Sequence, residues 1–453
     1  MTIIPQNMLK NQLPTEFKFA FNELQILKHL REAGISKVTG FSCVYIFQII
    51  FCLVFEKRTW FNLSTSKHKT ELPCKDAIYR FLNYHRFAWR RFLLLLSARF
   101  VTIIDRLTPS QRVKVFIVDD STYYRNRSKK VELLAKCFDH GNGKYYNGFR
   151  MLTLGWSDGH SFAPIDFVLL SSIKKQLKAL TCNIDKRTHG YKRRMEAVQK
   201  APSLIPSMLE RALAAGIDAS YLLMDSWFTN APLIKETLAH GVDVIGMLKN
   251  GKQRYAFGDK MLTLKQLYGV AKPIEGTSNN ILKSVTVQMQ ETITTKIVFV
   301  RRKGNKREWL AILSTDCHLS EEEIVKIYRM RWDIETFFKC TKSLLKLQNE
   351  FQGRSYDMLV SHTTIVFARY ILLTYNQRLA SDVRALGGMF YEMCEAVTDR
   401  HWRDALNQLL AIIDDIQKGG SKISGFFKSQ LLIWFDSLPC FIKGSLPFSW
   451  CES

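Results

Sequence analysis

The chain has 453 residues and a formal net charge of +24, with 65 Lys and Arg against 41 Asp and Glu. That length buries a large core and suits two or more domains, while 47% hydrophobic and 12% aromatic content excludes wholesale disorder. The basic excess points to a polyanionic partner, nucleic acid first and an anionic membrane surface second. The ten Cys are scattered with no Cys-x-x-Cys pair, which argues against a zinc site and for reduced thiols in a cytoplasmic protein.

In chain order, residues 1–110 read as a helical domain. Met1–Lys18 lacks a basic stretch followed by an apolar core, so no signal peptide is expected. Asn22–Arg31 has helical periodicity with Gly34 as its stop. Phe41–Phe55 is strongly apolar, but its 15 residues fall short of the roughly 20 that span a bilayer, so it reads as a buried core helix. Asp76–Leu107 reads as one long helix, its aromatic residues interleaved with Arg80, Arg86, Arg90, Arg91 and Arg99. These arginines suit either DNA backbone contact or snorkelling along the helix.

Residues 111–250 read as an α/β core. Val113–Val118 is a β-branched strand that ends at Asp119-Asp120-Ser121. Asn147–Trp156 and Ser161–Leu170 follow as two further strands of a meander. Ser171–Lys200 is strongly basic with few apolar anchors, and Lys174–Arg194 is expected to meet phosphate. Pro202–Ala215 is a helix stopped by Gly216. Tyr221–Met224 is a short strand that runs into Asp225-Ser226-Trp227-Phe228. Ala231–His240 is a helix, and Val242–Met247 is the next strand.

Residues 251–314 break this rhythm with three strand-like runs. A hairpin turn at Gly304-Asn305 is flanked by Arg301, Arg302, Lys306 and Arg307, which are expected to meet DNA phosphates. Ser320-Glu-Glu-Glu then starts the helices of residues 315–380. Residues 381–453 read as a helical C-terminal region with Gly387-Gly388 as a boundary and Gly419-Gly420 as a joint.

Tyr328, Arg331, Glu335 and Lys342 fall within an arc of roughly 60° if they share one helix. Trp332, Ile334, Phe337 and Phe338 supply apolar mass around them, so the stripe is expected to line a cleft. Three acidic positions now stand out: Asp119 or Asp120, Asp225 and Glu335. Two acids at strand ends and a third on a later helix form a costly cluster unless a divalent cation neutralises it, and hard oxygen ligands favour Mg2+ or Mn2+. Two such ions suit in-line phosphoryl transfer. Trp227 and Trp309 are flat aromatics able to stack on an extruded base, although Trp309 reads first as core.

The spacing Tyr328-x2-Arg331-x3-Glu335-x6-Lys342 resembles the signature of bacterial insertion-sequence transposases of the cut-and-paste DDE class. Asp119-Asp120-Ser121 resembles the first acid motif of that class and Asp225-Ser226-Trp227-Phe228 the second. The resemblance implies a ribonuclease-H-like catalytic core interrupted by a β-strand insertion between Asp225 and Glu335. It implies a metal held by Asp119, Asp225 and Glu335, with Tyr328, Arg331 and Lys342 on the transposon end. Strand nicking by water would precede attack of a 3′-hydroxyl on target DNA. The partner would be double-stranded DNA bound by a homodimer, in a bacterial, nucleoid-associated setting and not at a membrane. The first motif fits Asp119-Asp120-Ser121 and Asp120-Ser121-Thr122 alike, with a lean to Asp119. Three other readings remain: a nuclease of the same core that joins no strands, an inactive DNA-binding remnant, and a membrane-surface or structural protein built round Phe41–Phe55.

Overall fold

The computed structural model describes residues 15–61, 72–178, 184–274, 280–289, 293–302, 308–379, 385–418 and 424–437. The N-terminal part is helical: α1 (Thr15–Glu23), α2 (Ile26–Glu32), α3 (Cys43–Cys52), α4 (Lys75–Asn83) and α5 (Trp89–Arg106). Two runs expected to be continuous are broken. Gln25 at φ 50° separates α1 from α2, and Tyr84, with extended φ and ψ, ends α4 before α5 begins. The apolar run at α3 is capped by Ser42, whose Oγ accepts from the Tyr45 amide. Its Phe47 and Phe51 rings pack edge-on against Phe21 and Phe92, so this stretch is buried against protein.

One sheet organises the rest. Strand β1 (Val115–Tyr124) pairs antiparallel with β3 (Lys144–Ser157), which also carries β2 (Ala135–Asp139) and β4 (Phe162–Leu170) along its other edge. On its other side β1 pairs parallel with β5 (Tyr221–Met224), and β5 pairs parallel with β6 (Asp243–Leu248). Three helices, α6 (His189–Ala197), α7 (Ala201–Ala214) and α8 (Ala231–Ala239), make the crossovers that parallel pairing requires. The β1 ladder does not stop at Val118: it runs on through Asp119↔Thr153 to Tyr124↔Gly148.

The β-rich stretch between β6 and the later helices joins the same sheet. It opens with β7 (Arg254–Phe257), β8 (Lys260–Thr263), α9 (Leu264–Val270) and β9 (Lys272–Pro273). Its strand β12 (Trp309–Ser314) pairs antiparallel with β6, and β11 (Ile293–Arg301) and β10 (Ile281–Met289) follow, so the sheet continues through the insertion. Pairing β6 removes an open edge that would otherwise expose unpaired backbone groups. The Gly304-Asn305 turn lies outside the described residues.

Then come α10 (Glu321–Arg329), α11 (Trp332–Ser343) and α12 (Tyr356–Leu379). Among the described residues α12 is the one helix long and apolar enough to cross a membrane, and its apolar window is wholly buried within the fold. Helix α13 (Leu386–Lys418) begins one residue before Gly387-Gly388, and α14 (Ser424–Ser437) follows. Gly419-Gly420 lies outside the described residues.

Part of the basic segment after β4 is taken up by the interior of the fold. Arg193 and Arg194 on α6 are buried: Arg194 pairs with Glu132 at 2.8 Å and Asp357 at 2.7 Å, and Arg193 with Asp357 at 3.0 Å. A second internal network holds Asp166 of β4 between Arg90 (2.6 and 2.7 Å) and Arg211 (2.7 Å). Burial pushes the Asp166 carboxyl up, but the two guanidiniums outweigh it and hold the group below its ordinary value.

A depressed carboxyl contributes its stability above the unfolded-state value and loses it as pH falls through the folded-state value. Asp166→Asn should therefore destabilise the protein by about 2–3 kcal/mol at neutral pH, since two half-buried guanidiniums lose the charge of a buried acceptor and keep only Glu196. The deficit should narrow as pH drops below about 4. Urea unfolding monitored by circular dichroism measures both, and a neutral-pH loss under about 1 kcal/mol would show the network to be inert.

Candidate active site

Strands β1 and β5 pair through four rungs, the last being Val118↔Met224. Asp119 and Asp225 are the next residues in sequence, so both acids follow directly on the last rung, Asp119 within the longer β1 and Asp225 just past the end of β5. Asp225 begins a tight turn in which its Oδ1 accepts from the amides of Trp227 (2.9 Å) and Phe228 (3.2 Å). Asp119 Oδ1 accepts from the Asp120 amide at 2.8 Å.

Glu335 arrives from the helical side. The expected single helix is two: Met330 and Arg331 donate their amides to Ile327 and Tyr328, three residues back, and this tightened turn separates α10 from α11. The break leaves Arg331 at the head of α11, facing both acids. Its Nη1 donates to Asp119 Oδ2 at 2.9 Å and its Nη2 to Glu335 Oε1 at 3.2 Å. Burial drives the Asp119 carboxyl up to about 7; Arg331 opposes this, and the charges of Asp225 and Glu335 add to it. Asp119 thus sits in the field of both other acids.

The other residues singled out from sequence divide. Asp120 points to the opposite face of β1 and pairs with Arg150 of β3, away from Arg331. Lys342 donates to Ser121 Oγ at 2.6 Å and to Thr122 Oγ1 at 3.3 Å, and burial pulls its ammonium down to about 8. Tyr328 is buried, its hydroxyl donating to the Met224 carbonyl at 3.3 Å, and burial pushes the phenol up to about 12. Trp309 stacks on Tyr268 with ring centroids 4.9 Å apart, away from the acids, whereas Trp227 is 55% exposed beside Asp225. Arg301 ends β11, Arg302 pairs with Glu308, and Lys306 and Arg307 lie outside the described residues. The sequence reading missed Arg150, which lies over the Trp227 ring at 5.8 Å. An arginine inside the apolar run Phe149–Leu154 was its signal.

As they stand, no three His, Cys, Asp or Glu among the described residues are gathered closely enough to grip a metal. In kind, however, the donors suit a hard cation: three carboxylates from three elements, two of which already share a positive group, the Arg331 guanidinium. Asp119, Asp225 and Glu335 are the residues that would hold Mg2+ or Mn2+.

A profile of the DDE superfamily endonucleases matches residues 52–306, more than half of the chain. The matched span contains Asp119 and Asp225 and ends before Glu335. A transposase for the insertion sequence element IS231B of Bacillus thuringiensis subsp. berliner is 28% identical over 114 residues, 22% of this chain and 24% of that relative. The match thus spans about a quarter of the relative's length.

If the guanidinium occupies the place a cation would take, Arg331→Ala should tighten Mn2+ binding in the absence of DNA. Charge-assisted hydrogen bonds of this kind correspond to about a tenfold change or more. Free Mn2+ measured by electron paramagnetic resonance reads this directly, and unchanged or weaker binding would refute the competition.

Proposed function

The chain belongs to the DDE superfamily endonuclease family, and from that premise we propose that it is an insertion-sequence transposase. In this reading it cuts double-stranded DNA at transposon ends and joins the freed 3′-hydroxyl to target DNA. The observation that carries the reading is that Asp119, inside β1, and Asp225, just past the end of β5, both follow the last rung that pairs these strands, with Glu335 tied to Asp119 through Arg331. The strand order β3-β1-β5-β6, with the first pair antiparallel and the others parallel, supports a ribonuclease-H-like core. The two copies needed to hold two ends would act as a homodimer in the bacterial cytoplasm.

Each residue has a part that its surroundings support. Asp119, Asp225 and Glu335 hold the divalent ion, which when bound supplies charge stabilisation for in-line phosphoryl transfer. Arg331, once released from the acids, forms a bidentate fork to a phosphate, a geometry that its planar guanidinium favours. Lys342 stands beside Ser121 with a lowered affinity for its proton, and an approaching phosphate restores its full charge. Tyr328 braces the Met224 backbone and so positions Asp225. Arg301, Arg302, Lys306 and Arg307 add phosphate contacts from the insertion. Asp120 takes no part in the metal site and positions Arg150 instead.

Asp225→Asn and Glu335→Gln should each lower nicking of a labelled end fragment in Mg2+ by about a hundredfold or more, the scale on which single charge-stabilising groups act. Asp119→Asn should do the same and Asp120→Asn should not. Gel shifts with the same proteins should show end-DNA binding retained. Substantial nicking by Glu335→Gln would sink the three-carboxylate mechanism, and nicking without strand joining would restrict the activity to that of an endonuclease.

A further inference from the structure

Next to the acids, the hairpin of β2 and β3 carries exposed aromatic rings in an unbroken row. Tyr145 and Phe138 are cross-strand partners with centroids 5.0 Å apart, Phe138 and His140 are 5.0 Å apart, and His140 lies 6.3 Å from Trp227. All four are exposed: Tyr145 by 54%, Phe138 by 37% and Trp227 by 55%, and His140 likewise. The opposite face of the hairpin is different. There Ala135, Cys137 and Tyr146 form a small buried cluster, so the fold has its apolar anchor for β2 without these rings.

Cations accompany the row along its length. Lys136 and Lys175 lie over the Tyr145 ring at 5.3 and 4.7 Å, and Arg150 lies over Trp227 at 5.8 Å. Lys175 comes from the segment bridged to the β2 edge through Ala135↔Gln176. Exposed rings at successive steps, edged by basic groups, match the requirements of an unpaired polynucleotide: faces for stacking and charges for phosphates. A duplex, whose bases are already stacked, has no use for the ring faces. An apolar protein partner would be opposed by the lysines.

We propose that the Tyr145–Phe138–His140–Trp227 row is a binding track for an unpaired DNA segment, whose bases stack on the rings while Lys136, Lys175 and Arg150 meet its phosphates. The track ends at Trp227, two residues from Asp225, so the bound segment adjoins the phosphate that Arg331 would take at the acid site. This rests on the reading of the acids as a DNA-cutting site, but stacking itself is measurable without cleavage.

The test is fluorescence anisotropy of labelled oligothymidine and of a blunt duplex with the full chain in EDTA, where no cutting occurs. Phe138→Ala/Tyr145→Ala should weaken oligothymidine binding by at least about tenfold while changing duplex affinity less than about twofold. The exchange Phe138→Tyr/Tyr145→Phe, which keeps both rings, should restore it, and circular dichroism checks that each variant is folded. Unchanged oligothymidine affinity in the folded double-alanine protein would overturn the track. Equal losses for single strand and duplex would overturn it too, since they report lost charge or fold rather than stacking. Tighter binding of oligouridine than of oligothymidine would overturn the assignment to DNA. A protein that nicks nothing yet binds oligothymidine through these rings removes the cleavage reading and leaves the track standing.

Discussion

The four-rung parallel pairing of β1 with β5 is the constraint on which the rest depends. Strand β5 stops at Met224, but β1 continues to Tyr124, so one edge of Asp119–Tyr124 has no strand beside it. Backbone groups there need partners, and the segment after α11 supplies them. Gln348 Nε2 donates to the Thr122 carbonyl at 2.9 Å, and its Oε1 accepts from the Tyr124 amide at 3.2 Å. This clasp holds α11 over β1, which brings Arg331 and Glu335 to Asp119. On the other edge Gly148 permits the close approach of β3, because a Cβ there would stand 2.0 Å from the Tyr123 carbonyl oxygen.

The charge of the chain is arranged around the same sheet. Arg90 and Arg211 face Asp166 and Glu196, and Arg193 and Arg194 face Glu132 and Asp357. Each group sets two cations against two acids and is neutral. A third internal pair, Arg369 with Glu350, is neutral as well and lies deeper, with Arg369 also donating to the Phe51 carbonyl at 3.0 Å. Since these networks cancel internally, the excess of positive charge belongs to the remaining residues. The basic composition thus keeps its meaning for a polyanionic partner, although particular arginines are taken up by the interior.

Legibility followed how local each signal was. The β-branched run before Asp119, the short apolar strand before Asp225 and the stop at Gly216 were readable because strand and cap chemistry act over a few residues. Long-range facts were not. Alternation along β1 left Asp119 and Asp120 equivalent; in the fold Asp119 meets Arg331 of α11 and Asp120 pairs with Arg150 of β3. The break between α10 and α11 has no Pro or Gly to announce it. Arg193 and Arg194 read as surface charge because their partners, Glu132 and Asp357, lie 62 and 163 residues away from Arg194. The insertion looked separate because its β-pattern interrupts the α/β rhythm, whereas pairing with β6 is invisible in either segment alone.

Arg331 gives the acid cluster a further property. Its guanidinium satisfies Asp119 and Glu335 at once, in a pocket where Asp119 is largely desolvated. A cation entering among the three acids competes with that guanidinium for the same oxygens. A phosphate competes for the same guanidinium from the other side. Each newcomer therefore removes what opposes the other, and thermodynamic linkage requires the benefit to be mutual and equal. In the proposed reading, arginine's bidentate preference for phosphate would draw the guanidinium from Asp119 and Glu335 and leave both carboxylates free for a divalent ion.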